Sequence, residues 1–322
     1  MLKLFNIQTR LLGPLFAMGA MFCFSLNDVS IKYLSSEYPL HQVILIRSSI
    51  SVLFILLFMF PFSGGLNAIR TKRLGTHIVR GCCVVFANMF MFMGLAALPI
   101  ADAVAIFFVS PLLITILSII FLSERVGIWR WISIFIGLLG VLIISRPGSS
   151  AFQTAAIFPM LGALGYAFLH ILTRKIRSSE SATTMAFYIQ FTFVLVACLI
   201  GLSIGDGRFD LSDDPSLSFL LREWITPNFK DYWIFLTIGV ATAFGGLFIS
   251  QAYRIGEAAY VAPFEYIALP ISILWGIMIF SEWPFLSGWI GIFLILSSGL
   301  FMIWRESKKN NTSLELKSKF TR

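Results

Sequence analysis

Charge is what this chain has least of. Only 12% of its 322 residues are Asp, Glu, Lys or Arg, about half the ~25% usual in a soluble domain. With 58% hydrophobic residues and a mean hydropathy of +0.87, it reads as a polytopic membrane protein. Cysteine is also sparse. Cys23, Cys82, Cys83 and Cys198 lie in apolar runs without metal-ligand spacing, which fits small buried hydrophobes rather than disulfides or metal ligands. The three histidines, His41, His77 and His170, are scattered, which excludes a di-metal membrane oxygenase. Gly-x-Gly-Asp, Gly-x-Ser-Gly and His-Glu-x-x-His are all absent, so intramembrane proteolysis has no carrier. No catalytic residue, metal or cofactor is expected.

The net charge of +8 lies in short loops and at the tail, with no interleaved basic and aromatic patch. That pattern suits loops facing an anionic leaflet and argues against a nucleic-acid partner.

A membrane span needs about 20 apolar residues. Ten stretches fit, at approximately 11–33, 40–62, 76–98, 101–122, 128–146, 153–175, 182–204, 231–254, 258–280 and 286–305. The first is too long and too uniformly apolar for a signal peptide, so it is expected to remain as a helix. Pro99-Ile100 and Ser281 to Phe285 are links short enough to force antiparallel hairpins. With both termini placed in the cytoplasm, eighteen of the 24 Lys and Arg residues fall on the inner side, as the positive-inside rule requires. This points to a multi-pass membrane protein with both termini inside. The acidic outer loop 205–230 holds Leu217 to Trp224, expected as a short amphipathic turn on the membrane surface. The polar tail 306–322 is expected to be disordered.

The chain also repeats itself. Leu15-Phe16-Ala17-Met18 aligns with Ile157-Phe158-Pro159-Met160 at an offset of 142, which sets Asp28 opposite His170 and Lys32 opposite Arg174. Ser123-Glu124 aligns with Ser281-Glu282 at an offset of 158, bringing Trp131 onto Trp289. Two units of five spans, 11–146 and 153–305, would enter the membrane in opposite senses. A binding site is then expected near the midplane between them.

Two stretches share a pattern of proline followed by glutamate. They run from Ala101-Asp102-Ala103 through Pro111 to Ser123-Glu124, and from Ala262-Pro263-Phe264-Glu265-Tyr266 through Pro270 to Ser281-Glu282. With the ten spans and the inversion, this resembles the EamA branch of the drug/metabolite transporter superfamily over about residues 11–305. Asn27-Asp28-x-x-x-Lys32-Tyr33-Leu34, Arg47, Arg80-Gly81 and Ala262-Pro263-x-x-Tyr266 further resemble a bacterial subgroup that includes S-adenosylmethionine uptake carriers, with riboflavin carriers in the wider family. The resemblance implies alternating access without an ATP site, in a bacterial inner membrane. Glu265 departs from it, standing where the S-adenosylmethionine carriers imply a basic residue.

Candidate site residues follow from polar groups inside apolar spans, which are costly in lipid and so mark function or tight packing. Asp28 lies about 7–8 Å and Arg47 about 10 Å below the outer surface at 1.5 Å rise per residue, close enough in depth to pair, with Lys32 reaching the surface. Asn27, Asp28, Lys32 and Arg47 therefore suit an outer gate or a coupling site, or equally a buried packing pair. His170, the mate of Asp28, reads as a helix-end histidine at the interface. Glu265 is the strongest substrate-site candidate, with Tyr266 and Tyr260 beside it as ring and hydroxyl. Asn88, Ser110, Gln190 and Trp275 complete the set of candidate substrate contacts. Glu124 and Glu282 read as turn or N-cap groups.

The sequence thus predicts an all-α membrane protein, a secondary transporter of a small organic metabolite. The preferred substrate is cationic, zwitterionic or heteroaromatic and moves inward. An exporter of amino acids or drugs is the alternative within the class, and an intramembrane enzyme or sensor the alternative outside it. The expected partners are the substrate, the bilayer and protons as a coupling ion, with the protein a monomer or homodimer.

Overall fold

The computed structural model describes residues 2–63, 65, 69–123, 127–145, 154–211, 213–256 and 258–319, with most side chains described between Leu12 and Arg305. All regular structure among these residues is helical. Helices α1 (Leu2–Leu34), α2 (Leu40–Phe54), α3 (Leu74–Ala97), α4 (Ile100–Phe107), α5 (Ser110–Leu122) and α6 (Ile128–Ser145) form the first half. The second holds α7 (Ile157–Ile176), α8 (Ala182–Ile204), α9 (Pro215–Leu221), α10 (Tyr232–Ile255), α11 (Ala258–Val261), α12 (Ala268–Phe280) and α13 (Leu286–Lys319). Seven helical stretches are long and apolar enough to cross a bilayer, and Trp131–Ile144, Phe264–Phe280 and Leu286–Phe301 are shorter apolar helices. The chain is a multi-pass membrane protein.

Lipid supplies no hydrophobic drive between helices, so close packing must come from small residues. α7 lies against α3 on Gly162 and Gly165, where an added Cβ would stand 2.7 Å from the Ala87 carbonyl oxygen and 2.8 Å from that of Cys83. α6 crosses α13 where Gly140 meets Gly291, each with the other's carbonyl oxygen within 2.7 Å of an added Cβ. α1 packs on α10, α2 on α8 and α10, and α4 on α12, so helices of the two halves alternate through the bundle.

Two interruptions matter for the site. The span Ile100–Leu122 is broken at Phe108 and Val109, and α5 restarts on Ser110-Pro111, where proline's missing N–H falls among groups a helix start leaves unbonded anyway. In the second half a 3-10 stretch, Ala262–Ile267, separates α11 from α12 after Pro263 denies an N–H to the helical ladder. Helices α5 and α12 then end alike, on Ser123 (φ 54°) and Ser281 (φ 55°) in the left-handed conformation.

The first span, expected at 11–33, is met by Leu12–Leu34 of α1, a helix that itself begins at Leu2. The tail expected to be disordered continues α13 to Lys319, and its sequence from Glu306 to Lys319 contains no glycine or proline to stop it. The short turn expected in the outer loop is present as α9, which begins slightly earlier, at Pro215. Asp214 caps α9 by accepting the N–H groups of Ser216 and Leu217, and Phe219 of that turn is fully buried. Gln42 of α2 donates to the Ile225 carbonyl at 2.5 Å and accepts the Ile225 N–H at 3.2 Å. Tyr38 donates to Asp231 Oδ2 at 2.6 Å, and burial beside that carboxylate raises its phenol above the usual range. Glu124 lies outside the described residues.

Candidate functional site

A cavity of about 100 Å³ lies in the middle of the bundle. Its wall comes from both halves: α1 to α4 on one side, and α7, α8, α10, the 3-10 stretch and α12 on the other. Phe24, Phe92, Phe107, Phe108 and Phe193 make much of that wall apolar and flat.

Two polar clusters interrupt it. The first joins α1 to α2. Arg47, 2% exposed, donates from Nη1 to Asn27 Oδ1 at 2.5 Å, and Asn27 donates from Nδ2 to Asp28 Oδ1 at 3.2 Å. The guanidinium is sandwiched between the rings of Phe92 and Phe193, at 5.1 and 5.0 Å. The expected Asp28–Arg47 contact therefore runs through Asn27, whose amide has a donor for the acid and an acceptor for the base.

The second cluster surrounds Glu265, which is 1% exposed. Tyr166 of α7 donates to its Oε2 at 3.0 Å, and Tyr253 of α10 donates to its Oε1. His170 stacks on Tyr253 with ring centroids 3.8 Å apart and meets Tyr166 edge-on at 4.2 Å. Among the described residues no Lys, Arg or His forms an ion pair with Glu265.

The structure separates the remaining candidates. Asn88 lines the cavity and donates to Val84 O in its own helix at 3.0 Å. Gln190 lines it too, donating to Thr242 O at 3.3 Å and leaving its own Oε1 without a partner. Ser110, Tyr260, Tyr266 and Trp275 are not part of the wall. Ser110 is fully buried beside it, and Tyr266 is buried against Phe108 and Gly299. Tyr260 packs on Phe264, while Trp275 Nε1 reaches Ser25, itself a lining residue, at 3.3 Å. His170 is not an interfacial residue: it is 1% exposed, because two tyrosine rings cover it. Lys32 does not reach for the surface. Its Nζ lies 2.9 Å from Glu282 Oε1 and 2.5 Å from Leu98 O, since the α3–α4 turn brings a carbonyl within reach. Glu282 in turn accepts the Ile100 N–H at 3.0 Å, so it caps α4 across the two halves.

Sequence reasoning missed Tyr166 and Tyr253, the two donors to Glu265. It also missed Glu180, which is 3.4 Å from His77 Nε2, accepts from Thr71 at 2.7 Å and offers its carbonyl to Arg254 at 3.0 Å. Beside this group Arg80, 1% exposed, donates to Thr173 Oγ1 at 3.0 Å. Among the described residues no group of three His, Cys, Asp or Glu is placed to hold a metal.

A helical membrane bundle with a largely apolar central cavity, interrupted by two polar clusters, is the class of protein that these observations define. Residues 11–146 match the EamA-like transporter family, which bears out the resemblance read from the sequence. The chain is 28% identical to the S-adenosylmethionine uptake transporter of Rickettsia prowazekii, over 96% of this chain and 98% of that one. It is also 28% identical to the riboflavin transporter of Vibrio cholerae, over 92% of this chain and 95% of that one. A solved crystal structure with 16% identity superposes with a TM-score of 0.67, covering 91% of this chain and 96% of its own, so the fold is shared.

Proposed function

We propose that the chain is a secondary transporter that carries a small organic metabolite through the central cavity by alternating access. The observation that carries this reading is the cavity itself, walled by both halves and holding an acid that pairs with no cation among the described residues. Two inverted five-helix units, 11–146 and 153–305, are supported by the two broken helices and by Ser123 and Ser281, which share one unusual conformation at the offset of 158. Ten spans with both termini in the cytoplasm remain the topology that fits the Lys and Arg distribution.

The substrate is a cationic, zwitterionic or heteroaromatic metabolite. Glu265 supplies a negative contact, Asn88 and Gln190 supply amides, and the phenylalanine wall suits a flat ring. A relative named for S-adenosylmethionine uptake supports inward movement, and one named as a riboflavin transporter supports a heteroaromatic substrate. Asn27, Asp28, Arg47, Lys32 and His170 act as gate or coupling groups around it. The experiment is a thermal-shift screen of purified protein against metabolites, followed by counterflow in proteoliposomes. The expected result is counterflow of at least one metabolite, lost at least about tenfold in Glu265→Gln, which is ~1.4 kcal/mol of binding or more. A Glu265→Gln variant that reaches the membrane and transports like the parent would remove Glu265 from the substrate site. Absence of counterflow for every metabolite that shifts the melting temperature would remove the carrier reading.

A further inference from the structure

We propose that Glu265 is a reversible proton site as well as a cation site, so that a proton and a positively charged substrate displace each other at one carboxylate. The inference rests on the transport reading for its use, and on the geometry of the Glu265 cluster for its chemistry.

A carboxylate shut into an apolar bundle must be neutralised, by a proton or by a partner cation. Asp28 has its answer in the fold, because Asn27 links it to Arg47. Glu265 has only neutral donors, the hydroxyls of Tyr166 and Tyr253. Those hydroxyls serve either charge state. They donate to the anion, and a hydroxyl oxygen accepts from the acid once its own proton turns away. The shell thus holds the side chain in place while its charge changes.

The surroundings leave the second partner open. Tyr166 and His170 face the cluster from α7, and Tyr253 faces it from α10. Both ring nitrogens of His170, buried with the ring, have no hydrogen-bond partner. Tyr266 follows on the same 3-10 stretch, its hydroxyl unpartnered and its ring against Gly299 of α13. Charged groups on other elements, the half-buried Asp28 on α1 and the buried Arg47 on α2 and Arg80 on α3, have partners in Asn27 and Thr173. A cation arriving in the cavity meets one acid without a counter-charge. The exchange balances as Glu265–COOH plus a cation giving the Glu265 carboxylate–cation pair plus one proton, which leaves to whichever compartment the cavity faces. An empty carrier then returns with a neutral, protonated Glu265 rather than a bare charge.

The test needs no known substrate. Infrared spectra of the purified protein in lipid nanodiscs are recorded across pH, for the parent and for Glu265→Gln. The expected result is a protonated-carboxyl C=O band, missing from Glu265→Gln, that disappears as the pH is raised, as the acid gives up its proton. Tetramethylammonium, tetraphenylphosphonium and S-adenosylmethionine are then added at millimolar concentration, at a pH where the band is present. At least one is expected to remove it and to release about one proton per protein into weakly buffered medium. No such band at any pH, a band that never titrates, or a band that none of the three cations removes would each overturn the proposal. The failures are distinguishable: a missing band leaves metabolite counterflow intact, whereas missing counterflow with a titrating band removes the carrier reading alone.

Discussion

The cavity holds two acids, and the protein treats them differently. Asp28 belongs to a closed circuit in which an amide hands its charge to a guanidinium clamped between two phenylalanines. Glu265 is more deeply buried than the half-buried Asp28, with two tyrosine hydroxyls and, among the described residues, no cation. In the first cluster each charge has a partner within the fold, and removing Arg47 leaves the Asp28 charge without one. The second is complete as a hydrogen-bonding shell but incomplete in charge, which is the condition for something from outside to complete it. The difference separates a cluster whose charges pair within the fold from one that offers its charge to a ligand.

The largest effect that bears on this contrast is expected at Arg47. Arg47→Met strips the cation while keeping an apolar stem against Phe92 and Phe193, and leaves Asp28 and Asn27 without their partner. Breaking a buried pair from one side costs about 3–5 kcal/mol, so the variant should melt far below the parent in detergent or fail to accumulate. The double variant Asp28→Asn with Arg47→Met removes both charges and should recover at least half of that loss. Parental stability in Arg47→Met alone would show that the first cluster is not held by charge.

A smaller effect is expected at Tyr253. Phenylalanine keeps the stacking surface for His170 and deletes one of the two donors to Glu265. The loss of a hydrogen bond to a buried charged group is worth about 1.5–3 kcal/mol. It should fall on the site more than on the fold: cation binding should weaken by about tenfold, while the melting temperature moves little because the carboxyl can take up a proton. A large fall in melting temperature with unchanged ligand binding would make the Glu265 cluster a packing device like the first.

Much of this contrast was legible in the sequence, and the unread part has a physical reason. Helices and hairpins follow from apolar run length, and Asp28 and Arg47 come to one depth because adjacent helices joined by a short turn share a depth scale. Asn27 as the connecting amide was less visible, since a helix neighbour points about 100° away and only the packed geometry shows that it faces α2. Glu265 stood out by charge alone. Its tyrosine donors did not, because Tyr166 is 99 residues away and a tyrosine inside an apolar helix most often packs. Lys32 was read as reaching water because helix ends usually allow it. The structure instead brings Glu282, 250 residues later, to the same spot by packing one half on the other.

That last pair gives the smallest expected effect and a control for the other two. Lys32 and Glu282 join the end of α1 to the turn before α13, yet their side chains keep 12% and 27% of their exposure. Partly exposed pairs are screened by water and ions and are worth about 0–1 kcal/mol. Lys32→Met also leaves Glu282 supported, because its Oε2 still accepts the Ile100 N–H at the start of α4, where a helix end favours negative charge. The variant should therefore lose no more than about 1 kcal/mol of stability, and the difference from the parent should shrink in high salt. A loss approaching that of Arg47→Met would mean that this pair is sealed from solvent in the membrane, and that the boundary between the self-satisfied clusters and the open site lies around Glu265 alone rather than at the depth of Asp28.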